Sequence, residues 1–174
     1  MTIMKKIIFL LLVLICAPSF AQGVKKVKTD VLDTNVTTTS ATFTGTTLSF
    51  TMDSTRAADT TQIWMVEGCL FTGSSAASGI SLGFALATND TADIVFIGTD
   101  STISQLKSSE VTTDSAASAS FNNANAQTGK IWLKGTVVAA RGGAKKTFTL
   151  LFKKLTSGTA TLRRKSWIKA ERIR

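Results

Sequence analysis

The chain reads as an all-β protein, an antiparallel β-sandwich or jelly roll, and three observations predict it. Ser, Thr, Gly and Ala dominate the composition, and the single proline lies at position 18, a balance that favours strands over helices. Short segments alternate apolar and polar residues at period two, with turn residues between them. No segment combines helical periodicity with a cap and enough length to stand as a helix.

In order along the chain, the residues before Ala41 show no sustained apolar face. GVKKVKTDVLDTNVTTTS (Gly23 to Ser40) reads as an extended arm or linker, with a short strand near Val31. From Ala41 alternation begins: Leu48, Phe50 and Met52 share one face, and Thr47, Ser49 and Thr51 the other. DSTRAADTT is a loop. QIWMVEGCLFTG is apolar on both faces, Ile63, Met65, Cys69 and Phe71 opposing Trp64, Val66 and Leu70. That pattern predicts a central strand covered on both sides. After the SSAASG loop, Ile80, Leu82, Phe84 and Leu86 alternate with Ser81, Gly83 and Ala85.

TNDTAD is a turn before the short apolar strand IVFIG. The polar stretch Thr99 to Thr128 reads as a long excursion with one weak strand around Ile103 to Leu106. KIWLKGTVVAA resumes the sheet, and the paired glycines of RGGAKK predict a hairpin tip. TFTLLFKK then places Phe148, Leu150 and Phe152 on one face. The expected organisation is a leader at residues 1–21, an arm at 22–40 and the β-sandwich at 41–174.

The leader is read from a positive Lys5–Lys6 pair, the apolar run Ile7 to Ala17, and a small-x-small site at Ser19 and Ala21. Such a segment predicts export with cleavage after Ala21. The run is about half of what a bilayer-spanning helix requires, so no membrane span is expected after cleavage. The periplasm, the cell surface or the medium is the expected location. Beyond the leader only Cys69 remains, which excludes an intrachain disulfide there.

Absences exclude several chemistries. There is no histidine, hence no Ser-His-Asp or Cys-His nucleophile and no imidazole ligand. Cys69 lies mid-strand, where a buried, inert thiol is the expectation. Glu67 on the same strand reads as an edge or subunit-contact charge, with a tuned acid as the alternative. Asp90, Asp93 and Asp100 offer oxygen atoms to calcium, but their spacing lacks the glycine-containing twelve-residue loop, and turn chemistry explains Asp90 and Asp93. ARGGAKK lacks the strand–loop–helix setting of a phosphate-binding loop. No catalytic residue, cofactor or metal site is predicted, and the chain reads as a non-enzyme.

Charge is uneven. From Arg141 to Arg174 eleven Lys and Arg face one acid, Glu171, whereas Gln22 to Ala140 carries seven basic and ten acidic residues. The basic end is either a disordered tail or a folded strand. In SWIKAERIR, Trp167, Ile168 and Ile173 are large apolar groups that a solvated tail rarely carries. A closing strand with long cations along its outer face accounts for them. Lys145, Lys146, Arg163, Arg164, Lys165, Lys169 and Arg172 then form a candidate surface for an anionic partner. Acidic glycans, lipopolysaccharide or an acidic subunit fit an exported protein, whereas nucleic acid is disfavoured by export and by the lack of an aromatic-basic platform.

Three segments together carry a resemblance. IWMVEGCLFTGSSAASGISLGFAL, IWLKGTVVAARGGAKKTFTLLFKK and the terminal SWIKAERI resemble small jelly-roll knobs of tailed-phage head-fibre and tail-fibre proteins. Those knobs are similar in shape to the trimeric heads of the tumour-necrosis-factor and complement families. The resemblance implies a homotrimer with each inner sheet near the three-fold axis, displayed by Gly23 to Ser40. It implies attachment, display or assembly as the role, with other virion subunits or host-envelope glycans as partners. A leader is unusual for a virion protein. An exported prophage-encoded copy or surface adhesin is therefore also open, as is a monomeric periplasmic or cell-surface module binding a glycan or envelope component.

Overall fold

A computed structural model describes residues 26–53, 61–75, 79–100, 105–112, 119–121, 129–140 and 145–173. The expected leader, the DSTRAADTT and SSAASG loops, most of the RGGAKK hairpin tip and Ile103 lie largely or wholly outside these residues. Among these described residues twelve strands occur and no helix: β1 (Val27–Val31), β2 (Val36–Thr38), β3 (Thr44–Met52), β4 (Gln62–Ser75), β5 (Ile80–Ala85), β6 (Thr91–Asp100), β7 (Gln105–Thr112), β8 (Ala119–Phe121), β9 (Gly129–Ala139), β10 (Lys146–Lys154), β11 (Thr159–Leu162) and β12 (Trp167–Arg172).

The strands form two antiparallel sheets packed face to face as a β-sandwich. The large sheet runs β1-β12-β4-β9-β6-β7, with β11 bridging β4 and β2, and the small sheet runs β3-β10-β5-β8. From β3 to β11 the chain passes repeatedly from one sheet to the other, as in jelly rolls. The fourteen-residue β4 is the spine, because its one edge holds β12 and then β11 in succession while the other pairs with β9 along eleven positions.

Alternation decides what is buried. Leu48, Phe50 and Met52 from β3, Leu82 and Phe84 from β5, and Phe148, Leu150 and Phe152 from β10 are buried within the core. They meet Trp64, Val66, Leu70, Ile94, Phe96, Leu133, Val137, Ile168 and Ala170 from the large sheet. Phe148 stacks between Phe50 at 5.0 Å and Phe84 at 5.6 Å, and Phe50 reaches Trp64 across the sandwich at 5.8 Å. Ring pairs at such distances add to the area they bury. The Trp64 indole N–H donates to Gln62 Oε1 at 3.2 Å, so its burial leaves no orphan donor. Where the β10–β3 register slips between Thr149 and Leu151, the buried Thr46 hydroxyl donates to Leu150 O and accepts from Leu48 N. That side chain satisfies backbone groups a bulge leaves unpaired.

Three expectations need correction. The segment read as an arm or linker does carry the strand expected near Val31, as β1. It also adds β2, both are paired into the large sheet, and Leu32 is buried in the core. An edge strand has one wet face, so its pattern lacks the apolar run of a central strand. The Thr99–Thr128 excursion contains part of β6, all of β7 and the three-residue β8. Finally, β4 is not covered on both faces. Trp64, Val66 and Leu70 face the small sheet, while Met65 on the other side is 37% exposed and Ile63 and Phe71 are half-buried.

Candidate functional site

The basic end is a strand with a tightly held turn before it. β12 pairs with β4 from Trp167↔Cys69 to Arg172↔Trp64, and Ile168 and Ala170 are fully buried. Ile173, expected to help drive folding, instead remains 53% exposed, although its N–H still donates to Ile63 O. Between β11 and β12, Arg163, Arg164 and Lys165 form an exposed turn closed by Ser166 N–H donating to Arg163 O at 3.2 Å. Ser166 is fully buried; its hydroxyl donates to Arg163 O at 2.7 Å and accepts from Phe71 N at 2.9 Å. Lys165 takes a positive φ of 69°, a strained choice for a residue with a side chain. The N–H of Lys165 donates to Leu32 O, that of Arg163 to Phe71 O, and that of Arg164 to Asn35 Oδ1.

This turn walls a cleft of about 460 Å³ with Asn35, Phe71, Thr72, Gly129 and Lys130. The Lys130 ammonium lies 5.7 Å from the centre of the Phe71 ring, within cation–π range. Arg163 lies across the backbone of β4 at Gly73, where an added Cβ would meet its Nε at 3.0 Å. The glycine therefore gives the guanidinium its seat. Among the described residues four cations and no carboxylate line the cleft, and none of the four forms an ion pair. The Thr72 hydroxyl is buried and has no hydrogen-bond partner among the described residues.

Only Arg163, Arg164 and Lys165 of the seven candidate cations meet at this cleft. Lys146 lies near the opposite end of β4, with its ammonium on the fully buried Asp90 carboxylate at 2.6 Å and on Ala140 O. Lys145 is exposed beside it, while Lys169 pairs with Glu67 at 3.0 Å. Arg172 lies at the far end of β12 opposite Trp64. Lys130 went unrecognised because thirty-three residues separate it from Arg163 in the chain; only the β4–β9 register Phe71↔Lys130 joins them.

A second feature is the outer face of the large sheet. Register places Val31, Trp167, Cys69, Trp132 and Ile97 in one row across five strands. The next row reads Thr29, Lys169, Glu67, Lys134 and Val95, and the third Val27, Glu171, Met65, Thr136 and Asp93. Every large apolar side chain left exposed among the described residues belongs to this face: Val27, Val31, Met65, Ile97, Trp132 and Ile173, between 37% and 54% exposed. Cys69 lies on it too, yet is only 2% exposed, since its neighbours in register are the two indoles. Burial pushes its thiol pKa up, against a smaller lowering by Lys130.

Of the remaining polar candidates, Asp90 is held in a network of its own. Asp90 Oδ1 accepts from Ala140 N at 2.8 Å as well as from Lys146, and its own N–H closes the turn onto Ala87 O. Asp93 lies in β6, not in that turn, and the Asp100 side chain is outside the described residues. Among the described residues no three His, Cys, Asp or Glu side chains are grouped to hold a metal ion. No helix of the described residues is long and apolar enough to cross a membrane. No protein-family model matches the chain, and no curated protein shows significant sequence similarity to it.

Proposed function

We propose that this chain is a non-enzymatic β-sandwich knob that assembles with copies of itself through the outer face of its large sheet. The single observation that carries this reading is the segregation of exposed apolar side chains onto that face. Five strands at about 4.8 Å spacing make the Val31–Trp167–Cys69–Trp132–Ile97 row about 20 Å long, and exposed apolar groups gathered in one row differ from the scattered single side chains of an ordinary surface. The Lys169–Glu67–Lys134 row alternates sign, which favours partners that present both charges, as a second copy does. The homotrimer is the arrangement the phage-knob resemblance implies, and the role is attachment, display or assembly, on a virion or after export.

Sedimentation equilibrium tests it. At low micromolar concentration the account expects three times the chain mass, whereas a monomer throughout that range overturns the trimer. A second reading, a monomeric exported module that binds an envelope glycan, is favoured by the cationic cleft and would be the survivor of that outcome.

A further inference from the structure

We propose that the cleft between the β11–β12 turn and the Phe71–Lys130 pair is a binding site for a phosphorylated or sulfated saccharide. The inference goes beyond the assembly reading and stands on separate residues. Arg163, Arg164, Lys165 and Lys130 converge on one concavity with no carboxylate among the described residues of its lining. Among the described residues these four cations have no ionic partner and repel one another, and the turn that carries three of them is fixed by backbone and Ser166 bonds. An oxyanion ester relieves that repulsion and offers guanidinium groups two acceptors at once.

Size and the other lining groups select the rest of the ligand. A cleft of about 460 Å³ falls in the range of small-molecule sites. Asn35 Oδ1 is occupied by Arg164 N, so its amide N–H groups are the donors it offers inward. The Phe71 ring, half-buried and under the Lys130 ammonium, adds an aromatic wall. An amide and an aromatic ring suit a polyhydroxylated ring carrying the anion. Nucleic acid instead needs a basic track, and of the other candidate cations Lys169 is spent on Glu67 while Lys146 lies at the opposite end of β4 on Asp90.

Calorimetric titration of the full chain tests the site, using a heparin-derived trisulfated disaccharide, glucose 6-phosphate, inorganic phosphate and a single-stranded oligodeoxynucleotide. Saturable binding of at least one of the two sugars, tighter than inorganic phosphate, is expected, and which sugar binds tighter assigns sulfate or phosphate as the source. Replacing Arg163→Gln with Lys130→Gln should weaken it at least about tenfold. The equal-charge pair Lys28→Gln with Lys145→Gln, away from the cleft, should change it less than about twofold. Gly73→Ala keeps every cation but displaces Arg163 and should also weaken binding. Equal losses from the two pairs, an unchanged Gly73→Ala, tighter binding of the oligonucleotide, or no saturable sugar binding at low salt would each overturn the site.

Discussion

The two sheets share one interior but present different outer faces. Outside the small sheet, Thr51 stands opposite Thr147, Ser49 opposite Thr149, and Ser81 bonds Ser120 through hydroxyls at 3.2 Å. Lys153 covers Phe43 at 4.5 Å, so even the ring there is capped by a cation. Outside the large sheet the corresponding positions hold Trp132, Trp167, Met65 and Ile97, set among the charged Lys169, Glu67, Lys134 and Glu171. Folding demands only that one face of each sheet be apolar. The small sheet meets that demand and stops, whereas the large sheet leaves further apolar side chains exposed on its outer face, the ones the proposed assembly would bury.

Charge tests that contrast with the largest effect. Trp132→Glu removes apolar burial worth about 3 kcal/mol per contact, roughly a hundredfold in association. Thr147→Glu, on the hydroxylated face, should leave association unchanged in sedimentation velocity. If both behave alike, the contrast carries no functional meaning. The next test separates association from stability. Lys146→Ala strands the buried Asp90 carboxylate and should lower unfolding free energy by about 3 kcal/mol in urea titration, yet leave the associated mass of the folded protein unaltered.

Smaller effects sharpen the account. The raised thiol pKa of Cys69 means that alkylation should accelerate at higher pH than for a free cysteine. Trp132→Ser should speed it by about tenfold by uncovering the sulfur; no change would show that the indoles are not its cover. The smallest effect concerns Asp53, whose carboxyl is held below the usual aspartate range by its hydrogen bond from Lys26 at 2.7 Å. A carboxylate with a lowered folded pKa contributes stability above the ordinary aspartate range and loses it as pH falls through the folded value. Both partners are partly exposed, so Asp53→Asn should cost under about 1 kcal/mol at pH 7. The difference from the parent protein should close in acid, in thermal melts at both pH values.

The period-two pattern made the sandwich legible because each strand buries one face. Leu48/Phe50/Met52, Ile80/Leu82/Phe84 and Phe148/Leu150/Phe152 all point inward. Ser166 to Arg172 is likewise a strand and its capping residue, not a tail. What escaped was pairing across the chain. Sequence gives Lys146 as one more cation, and only the fold brings Asp90 from fifty-six residues away to neutralise it. Lys130 and Arg163 share no local signal, and β4 looked covered on both faces because apolar content does not say what covers it. The open face was thus written in the sequence as ordinary strand hydrophobicity, and its meaning appeared only when no second layer lay over it among the described residues.

Iodide quenching of tryptophan emission, followed as protein concentration rises from nanomolar to tens of micromolar, tests burial of that face most directly. Trp64 is fully buried in any state, Trp167 half-buried and Trp132 54% exposed, so changes in quenching report the open face. The account predicts that quenching falls as the protein associates and stays high in Trp132→Glu, where only Trp167 reports the face. Quenching that does not change with concentration in the parent protein would contradict it.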